Sequence, residues 1–188
     1  KLDNSIEMWE IDTKTVVRTF TGHTGIISAL HTTADGKILI SASWDGSVRI
    51  WNIGTGLMER KLTTGESPVY TLVLSPDERV LYTAGADRVI RAWDLSTGKS
   101  IRSFNGHLAE ITSLVLSPDN KLLISHSVDG VTKFWDLQSG NEFYEHIHLG
   151  DKDWMVKNPE GYFNGTDQAR KYIHFVDGLK TFSVDQFF

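Results

Sequence analysis

Residues 27–56 read ISALHTTADGKILISASWDGSVRIWNIGTG, and the same pattern returns at residues 69–98 and 111–140. A tryptophan marks the pattern every 42 residues, at Trp9, Trp51, Trp93 and Trp135. An aspartate six residues before the tryptophan keeps the same interval, at Asp45, Asp87 and Asp129. A fixed period of this size is typical of proteins that stack copies of one supersecondary unit.

Each repeat contains short runs of β-branched and apolar residues that are separated by turn signals. In the first repeat the predicted strands cover residues 27–30, 38–43 and 48–51, followed by a fourth strand that ends at Leu62. Asp-Gly, Ser-Pro-Asp and Gly-x-Gly links favour tight hairpins. No stretch of ten or more residues with a helical period competes within the repeats. One repeat is therefore predicted to be a four-stranded antiparallel sheet.

A single sheet of this size leaves an apolar face exposed, and radial stacking against identical neighbours buries that face. Two further signatures recur, namely Gly22-His23 with Gly106-His107, and Trp51-Asn52 with Trp93-Asp94 and Trp135-Asp136. With these residues the sequence resembles the WD-repeat β-propellers over residues 1–149. The resemblance implies an all-β fold, a partial propeller of about 3.5 four-stranded antiparallel blades in an open ring.

In that family a histidine, a second-strand Ser or Thr, the turn aspartate and the tryptophan form a hydrogen-bonded chain inside each blade. The resemblance implies such a chain in repeat one from His23, Ser41 or Ser43, Asp45 and Trp51. It implies the same in repeat three from His107, Ser125 or Ser127, Asp129 and Trp135. Repeat two has Thr64-Gly65 in place of Gly-His and keeps Thr83, Asp87 and Trp93. We therefore expect Asp87→Ala to cost less stability than Asp129→Ala.

Counting strands outward from the repeats, the chain begins inside a blade. Residues 5–9 read as a third strand and residues 16–20 as a fourth. The family most often closes its ring with seven blades, and this chain holds about half of that number. We expect either a fragment of a longer product or two copies that complete one ring through their open edges.

Residues 150–188 abandon the period and form a predicted C-terminal extension. One hairpin is predicted from residues 154–156 and 161–163, and a second from residues 173–176 and 179–182 around Asp177-Gly178. The alternative for the second hairpin is a helix over residues 167–176, because its apolar residues also fit a helical stripe. Asp185 resembles the N-cap of a helix that would begin at the last residues.

The extension also resembles the segment that joins WD-repeat propellers to caspase-like cysteine peptidase domains in bacterial multidomain proteins. The residues that carry this resemblance are Asp153-Trp154, Pro159-Glu160-Gly161-Tyr162-Phe163, Gly165-Thr166 and Asp185-Gln186-Phe187-Phe188. The resemblance implies that the repeats sense or bind something for a catalytic domain that would follow, since these residues contain none of the peptidase itself.

Composition excludes several functional classes. The formal net charge is −5 and no basic cluster is present, which argues against nucleic acid as a partner. No apolar run approaches the length of a membrane span. The absence of cysteine excludes disulfides and thiolate metal sites, and is compatible with the cytoplasmic location that we predict.

The sequence contains no constellation that indicates catalysis. It has no phosphate-binding loop, no nucleophile elbow and no dinucleotide fingerprint. His146 and His148 could meet on one face of a strand, but two imidazoles are few for a zinc site. We therefore expect neither an enzyme nor a bound metal or cofactor.

Binding to another protein is the function that the sequence favours. Partners of the resembled family often use the face that carries the turn between strands two and three. Aromatic and arginine side chains dominate interface energetics, so the partner-binding candidates are Trp44, Arg88 and Glu110. The predicted function is a non-catalytic interaction scaffold or sensor. The alternative is the regulatory part of a caspase-like peptidase.

Overall fold

The computed structural model describes residues 4–169, 174–177 and 180–183 of the 188-residue chain. Within these ranges the chain forms strands and turns. The strands are β1 Ile6–Glu10, β2 Thr15–Phe20, β3 Ile27–Thr32, β4 Ile38–Ser43, β5 Ser47–Asn52, β6 Met58–Thr63, β7 Val69–Leu74, β8 Val80–Gly85, β9 Val89–Asp94, β10 Ser100–Asn105, β11 Ile111–Leu116, β12 Leu122–Ser127, β13 Val131–Asp136, β14 Glu142–His148, β15 Trp154–Lys157, β16 Phe163–Gly165, β17 His174–Asp177 and β18 Lys180–Ser183.

The repeats form antiparallel sheets whose strands are hydrogen-bonded in chain order. Strands β3 to β6 form blade one, β7 to β10 form blade two, and β11 to β14 form the main part of blade three. Strands β1 and β2 form a separate two-stranded sheet, here called the half-blade. The predicted all-β fold of four-stranded antiparallel sheets is confirmed. No helix in the described ranges is long and apolar enough to cross a membrane.

The first strand of each blade faces its counterpart in the next blade. Strand β7 contacts β3 and β4 of blade one, and β11 contacts β7 and β8 of blade two. The pairing of each first strand with the second shifts register by one residue, at Ser28, Tyr70 and Thr112. A bulge of this kind bends the strand and re-aims the extra side chain.

Apolar side chains fill the space between neighbouring blades. Between blades one and two the buried cluster includes Ile40, Val48, Leu81 and Trp93. Between blades two and three it includes Ile90, Phe104, Leu123 and Trp135, among others. A smaller cluster of Phe20, Leu39 and Trp51 joins the half-blade to blade one. The repeat therefore buries its apolar face against the next repeat, as the radial-stacking argument requires.

Arginines of the fourth strands reinforce these joints. Arg60 of blade one donates to the carbonyl oxygen of Leu95 in blade two at 2.7 Å, and Arg102 of blade two donates to that of Leu137 in blade three at 3.2 Å. The Arg60 side chain passes over Gly98, where φ is +72° and a Cβ atom would collide with it. The turn glycine thus supplies both the backbone conformation and the space.

The C-terminal extension continues the sheet of blade three. Strand β15 pairs antiparallel with β14 and β16 pairs with β15, so this sheet has six strands. Strands β17 and β18 pair with each other in a separate hairpin. The helical alternative over residues 167–176 is wrong at residues 174–176, which are extended. The predicted N-cap at Asp185 lies outside the described residues.

Candidate functional site

Blade one contains the whole hydrogen-bonded chain that the resemblance implies. His23 Nδ1 lies 2.8 Å from Asp45 Oδ2, and His23 Nε2 lies 2.7 Å from Ser41 Oγ. Trp51 Nε1 donates to the same Ser41 oxygen at 2.8 Å. Ser43 takes another role, because its hydroxyl accepts from the Asp45 amide at 3.1 Å. The chain links the loop before β3 to strands β4 and β5.

The partners of His23 determine its tautomer. Asp45 accepts and cannot donate when ionised, so His23 carries its proton on Nδ1, and Nε2 accepts the Ser41 hydroxyl proton. Burial lowers the pKa of His23, and the hydrogen bond to Asp45 only partly opposes this. Burial would raise the pKa of Asp45, but hydrogen bonds from Ser47 and His23 outweigh it and hold that pKa well below its usual range. A neutral imidazole therefore bridges an ionised carboxylate and a hydroxyl.

Blade two keeps the tryptophan contact and replaces the histidine. Trp93 Nε1 donates to Thr83 Oγ1 at 2.9 Å, as Trp51 does to Ser41. Asp87 forms a short ion pair with Arg91 of strand β9. Its other carboxylate oxygen accepts from the Val89 amide at 3.2 Å. The aspartate of this blade is therefore held by a guanidinium and has no histidine partner in the described structure.

Blade three departs from the expectation at Asp129. His107 Nε2 lies 2.6 Å from Ser125 Oγ, which also accepts from Trp135 Nε1 at 2.8 Å. His107 Nδ1 is buried without a hydrogen-bond partner among the described residues, and Asp129 is exposed with its carboxylate on the Val131 amide at 3.0 Å. The implied chain thus ends at the histidine. Ser127 is buried, and its hydroxyl too has no partner within the described ranges.

One local difference explains why Asp129 lies away from its histidine. In blade one Ser47 holds Asp45 with both its amide at 3.0 Å and its hydroxyl at 2.6 Å. Val131 stands at the equivalent position of blade three and offers an amide alone. Burial lowers the pKa of His107 to about 4 and the nearby Lys133 charge acts in the same direction, so this imidazole is neutral at pH 7.

Lys133 forms a charge network that only blade three contains among the described blades. Its Nζ contacts Glu142 Oε2 at 2.8 Å and makes a shorter contact with Glu145. Lys157 of the extension joins the other side of Glu145 at 2.7 Å. Burial would raise the pKa of Glu145, but the hydrogen bonds from the two lysines outweigh it and lower that pKa. The network fastens strand β15 to the blade.

Sequence reasoning missed this basic position, although a signal was present. Arg49, Arg91 and Lys133 stand 42 residues apart. Arg49 Nη2 lies 3.9 Å from Asp45, and the Arg49 guanidinium carbon lies 5.9 Å from the centre of the Trp51 ring. The period therefore places a basic residue four positions after every turn aspartate, and the neighbouring acids decide what it binds.

The turns β4–β5, β8–β9 and β12–β13 lie at one end of the blades, here called the turn face. Each turn packs on the loop before the first strand of its own blade, through backbone bonds from Trp44, Ala86 and Val128 to Ile26, Pro68 and Glu110. The predicted candidates Trp44, Arg88 and Glu110 all lie on this face and are exposed.

A side chain that sequence reasoning missed connects two of these candidates. The Tyr70 ring lies 5.8 Å from the Trp44 ring in an edge-to-face arrangement, and its hydroxyl donates to Glu110 Oε2 at 3.0 Å. The bulge in β7 places Tyr70 there. Trp44, Tyr70 and Glu110, here called the aromatic ladder, thus cross blades one, two and three. Trp44 remains 47% exposed.

Arg88 lies beside the ladder and belongs to a different contact. Its guanidinium donates to the carbonyl oxygen of Leu108 at 3.3 Å, and its backbone has a φ of +67°. The side-chain hydrogen bond described for Arg88 goes to Leu108, whereas that of Glu110 comes from Tyr70. Three exposed apolar residues belong to the same turns and loops, namely Ile26, Leu108 and Val128.

The two histidines of β14 lie side by side. The rings of His146 and His148 are 4.8 Å apart, and His146 stacks on Trp154 at 5.9 Å. Burial lowers the pKa of His146, with the neighbouring His148 adding to the effect. Among the described residues, no group of three or more His, Asp or Glu side chains is arranged to hold a metal ion.

Radially stacked antiparallel sheets, joined by buried tryptophans at a fixed interval, define a repeat protein of the propeller type. The family described as "WD domain, G-beta repeat" matches residues 14–52, 58–94 and 98–136, which together make up more than half of the chain. The chain belongs to this family. The matched repeats end at residue 136, so they give no support to the proposed resemblance of the extension to a peptidase linker.

A short stretch also matches a curated protein. The chain is 46% identical over 44 residues to "Periodic tryptophan protein 2" of Arabidopsis thaliana. The match covers 23% of this chain and 5% of the plant protein. It is about the length of one repeat and supports the repeat pattern alone.

Proposed function

We propose that this chain is a non-catalytic interaction module that binds protein segments on its turn face. Proteins with WD repeats generally serve as scaffolds for protein–protein interactions. The observation that carries the proposal for this chain is the aromatic ladder, because its members break the repeat and yet come together in space.

The comparison with equivalent positions makes this argument specific. Trp44 corresponds to Ala86 and Val128 in the other blades, and Tyr70 corresponds to Ser28 and Thr112. Residues that the blade needs for stability recur at the period, as Trp51 and Ser41 do. Trp44, Tyr70 and Glu110 do not recur at the period and nevertheless lie together at the surface. A cluster of this kind, with two aromatic residues, resembles a binding hot spot.

A peptide selection tests the proposal directly. A phage-displayed library of random peptides is selected on immobilised wild-type chain, and the enriched peptides are measured against Trp44→Ala and Trp9→Ala. Trp9 is a matched control, since it is 54% exposed and lies in the half-blade outside the turn face. We expect peptides that bind wild type and Trp9→Ala and lose about tenfold or more in affinity on Trp44→Ala.

Two results would contradict the proposal. One is that no peptide is enriched on the wild-type chain. The other is that the enriched peptides bind Trp44→Ala as well as they bind wild type. Both variants must first show the melting curve of the wild type, because a loss of folding would imitate a loss of binding.

The remaining functional predictions stay proposals. For the regulatory role beside a caspase-like peptidase, neither the contacts of the described residues nor the family match, which ends at residue 136, provides support. Self-association through an open edge is consistent with one observation, the 52% exposure of Leu30 where its counterpart Leu114 is 6% exposed. A mass near twice 21.1 kDa in solution would support it, and a monomer would count against it.

A further inference from the structure

We infer that the turn face recognises a basic side chain, a lysine or arginine of the partner segment, through the aromatic ladder. This inference rests on the proposed function and names the chemistry of the partner. It comes from the combination of an exposed indole, a tyrosine and a carboxylate in one connected group.

The ladder presents the two features that hold an organic cation. The faces of tryptophan and tyrosine rings carry negative charge density, and tryptophan attracts Lys and Arg most strongly among the aromatic residues. Glu110 supplies a full negative charge at the other end of Tyr70, and one of its two carboxylate oxygens is bonded to the tyrosine hydroxyl. The second oxygen can accept from a donor of the partner.

Tyr70 fixes the distance between the two ends. Its ring packs edge-to-face with Trp44 at 5.8 Å while its hydroxyl reaches Glu110 at 3.0 Å. Burial and the Glu110 charge raise the pKa of Tyr70, so its hydroxyl keeps the proton that it donates. The aromatic surface and the carboxylate are therefore pre-organised, which reduces the entropic cost of ordering these side chains when a ligand binds.

The charges around the ladder favour a cationic ligand. Glu66 is exposed beside Gly46 of the β4–β5 turn, and Asp129 is exposed in the β12–β13 turn. Arg88 is the basic residue of the three strand-two to strand-three turns, and its guanidinium is directed to the Leu108 carbonyl. The whole chain has a net charge of −5. A basic partner segment is therefore attracted to the turn face. Arg88 would repel a second basic residue of that segment if it lay close to the turn of blade two.

The test uses the peptides that are selected on the wild-type chain and depend on Trp44. Each lysine of a peptide is replaced by norleucine, which keeps the four-carbon stem and lacks the ammonium group. Each arginine is replaced by citrulline, which keeps the shape and lacks the charge. Dissociation constants are measured by fluorescence anisotropy against wild type, Glu110→Gln and Trp44→Leu. Trp44→Leu keeps an apolar side chain and removes the aromatic ring.

We expect one basic position in each peptide whose replacement weakens binding about fivefold to tenfold, because a cation–π contact and a surface ion pair each contribute a few-fold. On Glu110→Gln and on Trp44→Leu the same replacement should cost less than on wild type. If the peptide cation lies next to Glu110 and Trp44, the effects of the peptide replacement and of these substitutions must be coupled in this way.

The outcomes separate the inference from the proposed function. Two results would overturn the inference but not the proposed interaction module. One is that the peptides that depend on Trp44 contain no basic residue. The other is that their neutral versions bind within about twofold of the originals. A selection that yields no Trp44-dependent peptide would overturn both. Charge replacements that cost the same on wild type and on Glu110→Gln would place the cation elsewhere and overturn the role of the ladder.

Discussion

Blade one and blade three carry the same histidine, serine, aspartate and tryptophan at equivalent positions, and they use them differently. In blade one Asp45 accepts from His23, Thr24 and Ser47 and is buried with them. In blade three Asp129 is exposed, and the only described donor to it is the Val131 amide. The polar core of blade three moves instead to Lys133 and its two glutamates.

The difference teaches that a recurring residue marks a position and does not by itself fix a contact. Ser47 and Val131 decide whether the turn aspartate is held by a hydroxyl. Glu145 decides where Lys133 points, and blades one and two have Lys61 and Ser103 at that position. The residues around the shared four, which vary between blades, therefore control whether the hydrogen-bonded chain closes.

The largest effect should come from the feature that the two blades share. Trp51→Ala and Trp135→Ala each remove an indole that is 2% exposed, together with its hydrogen bond to a buried serine. We expect a loss of about 3–5 kcal/mol in the free energy of unfolding for either variant. Chemical denaturation measures it, and a wild-type midpoint for either one would refute the assignment of that tryptophan to the core.

The turn aspartates should separate the blades. Asp45→Ala leaves several donors without an acceptor and should cost about 2–4 kcal/mol, whereas Asp129→Ala removes an exposed group and should cost less than about 1 kcal/mol. Asp87→Ala should fall between them, because Arg91 would lose its partner at a partly buried site. The structure thus reverses the order that the sequence implied for Asp87 and Asp129. Equal losses at Asp45 and Asp129 would show that both chains are closed in solution.

Acidification should lower the stability of the fold through His107, the buried histidine of blade three. The pKa of His107 is about 4 in the folded chain against an ordinary value of 6.5. Between these values the unfolded chain binds a proton that the folded chain does not, so stability falls as the pH falls through this window, by roughly 3 kcal/mol at most. Above pH 6.5 neither state is protonated and the effect vanishes.

His107→Gln isolates this contribution. Thermal unfolding of wild type and variant is compared from pH 7 to pH 4, and the variant should lose less stability over this range. The histidine of blade one is present in both proteins and cancels in the comparison. The depressed pKa of Asp45 acts below about pH 4, where the unfolded chain takes up a proton that the folded chain does not. Parallel curves for the two proteins would contradict the burial of a neutral His107.

The smallest effect should come from the contact between blade three and its extension. Lys157→Met removes the 2.7 Å contact with Glu145 at a half-exposed lysine and should cost about 0.5 kcal/mol. Lys152→Met, an exposed lysine in the connection before β15, is the matched control and should change nothing measurable. A Lys157→Met protein that equals this control would show that backbone pairing alone holds the extension.

The amino-acid sequence by itself determined the period, the strand order and the sheet type of this protein. Strand boundaries inside the repeats follow from alternating apolar residues and from turns such as Asp45-Gly46, which are local signals. The contacts of Trp51, Trp93 and Trp135 follow as well, since a large apolar residue at a fixed interval enters the same interface in each of the three blades. Trp9 keeps the interval but is 54% exposed in the half-blade.

Only the tertiary structure decided which polar groups meet. Asp129 and His107 are 22 residues apart in sequence, as Asp45 and His23 are, and no spacing tells that Lys133 turns to Glu142 and Glu145. The aromatic ladder was equally hidden, because Tyr70 and Glu110 lie 40 residues apart and meet through the stacking of two blades. Hydrogen bonds and ion pairs depend on distances of tenths of an ångström, which the packing of neighbouring side chains fixes and a repeat pattern does not encode.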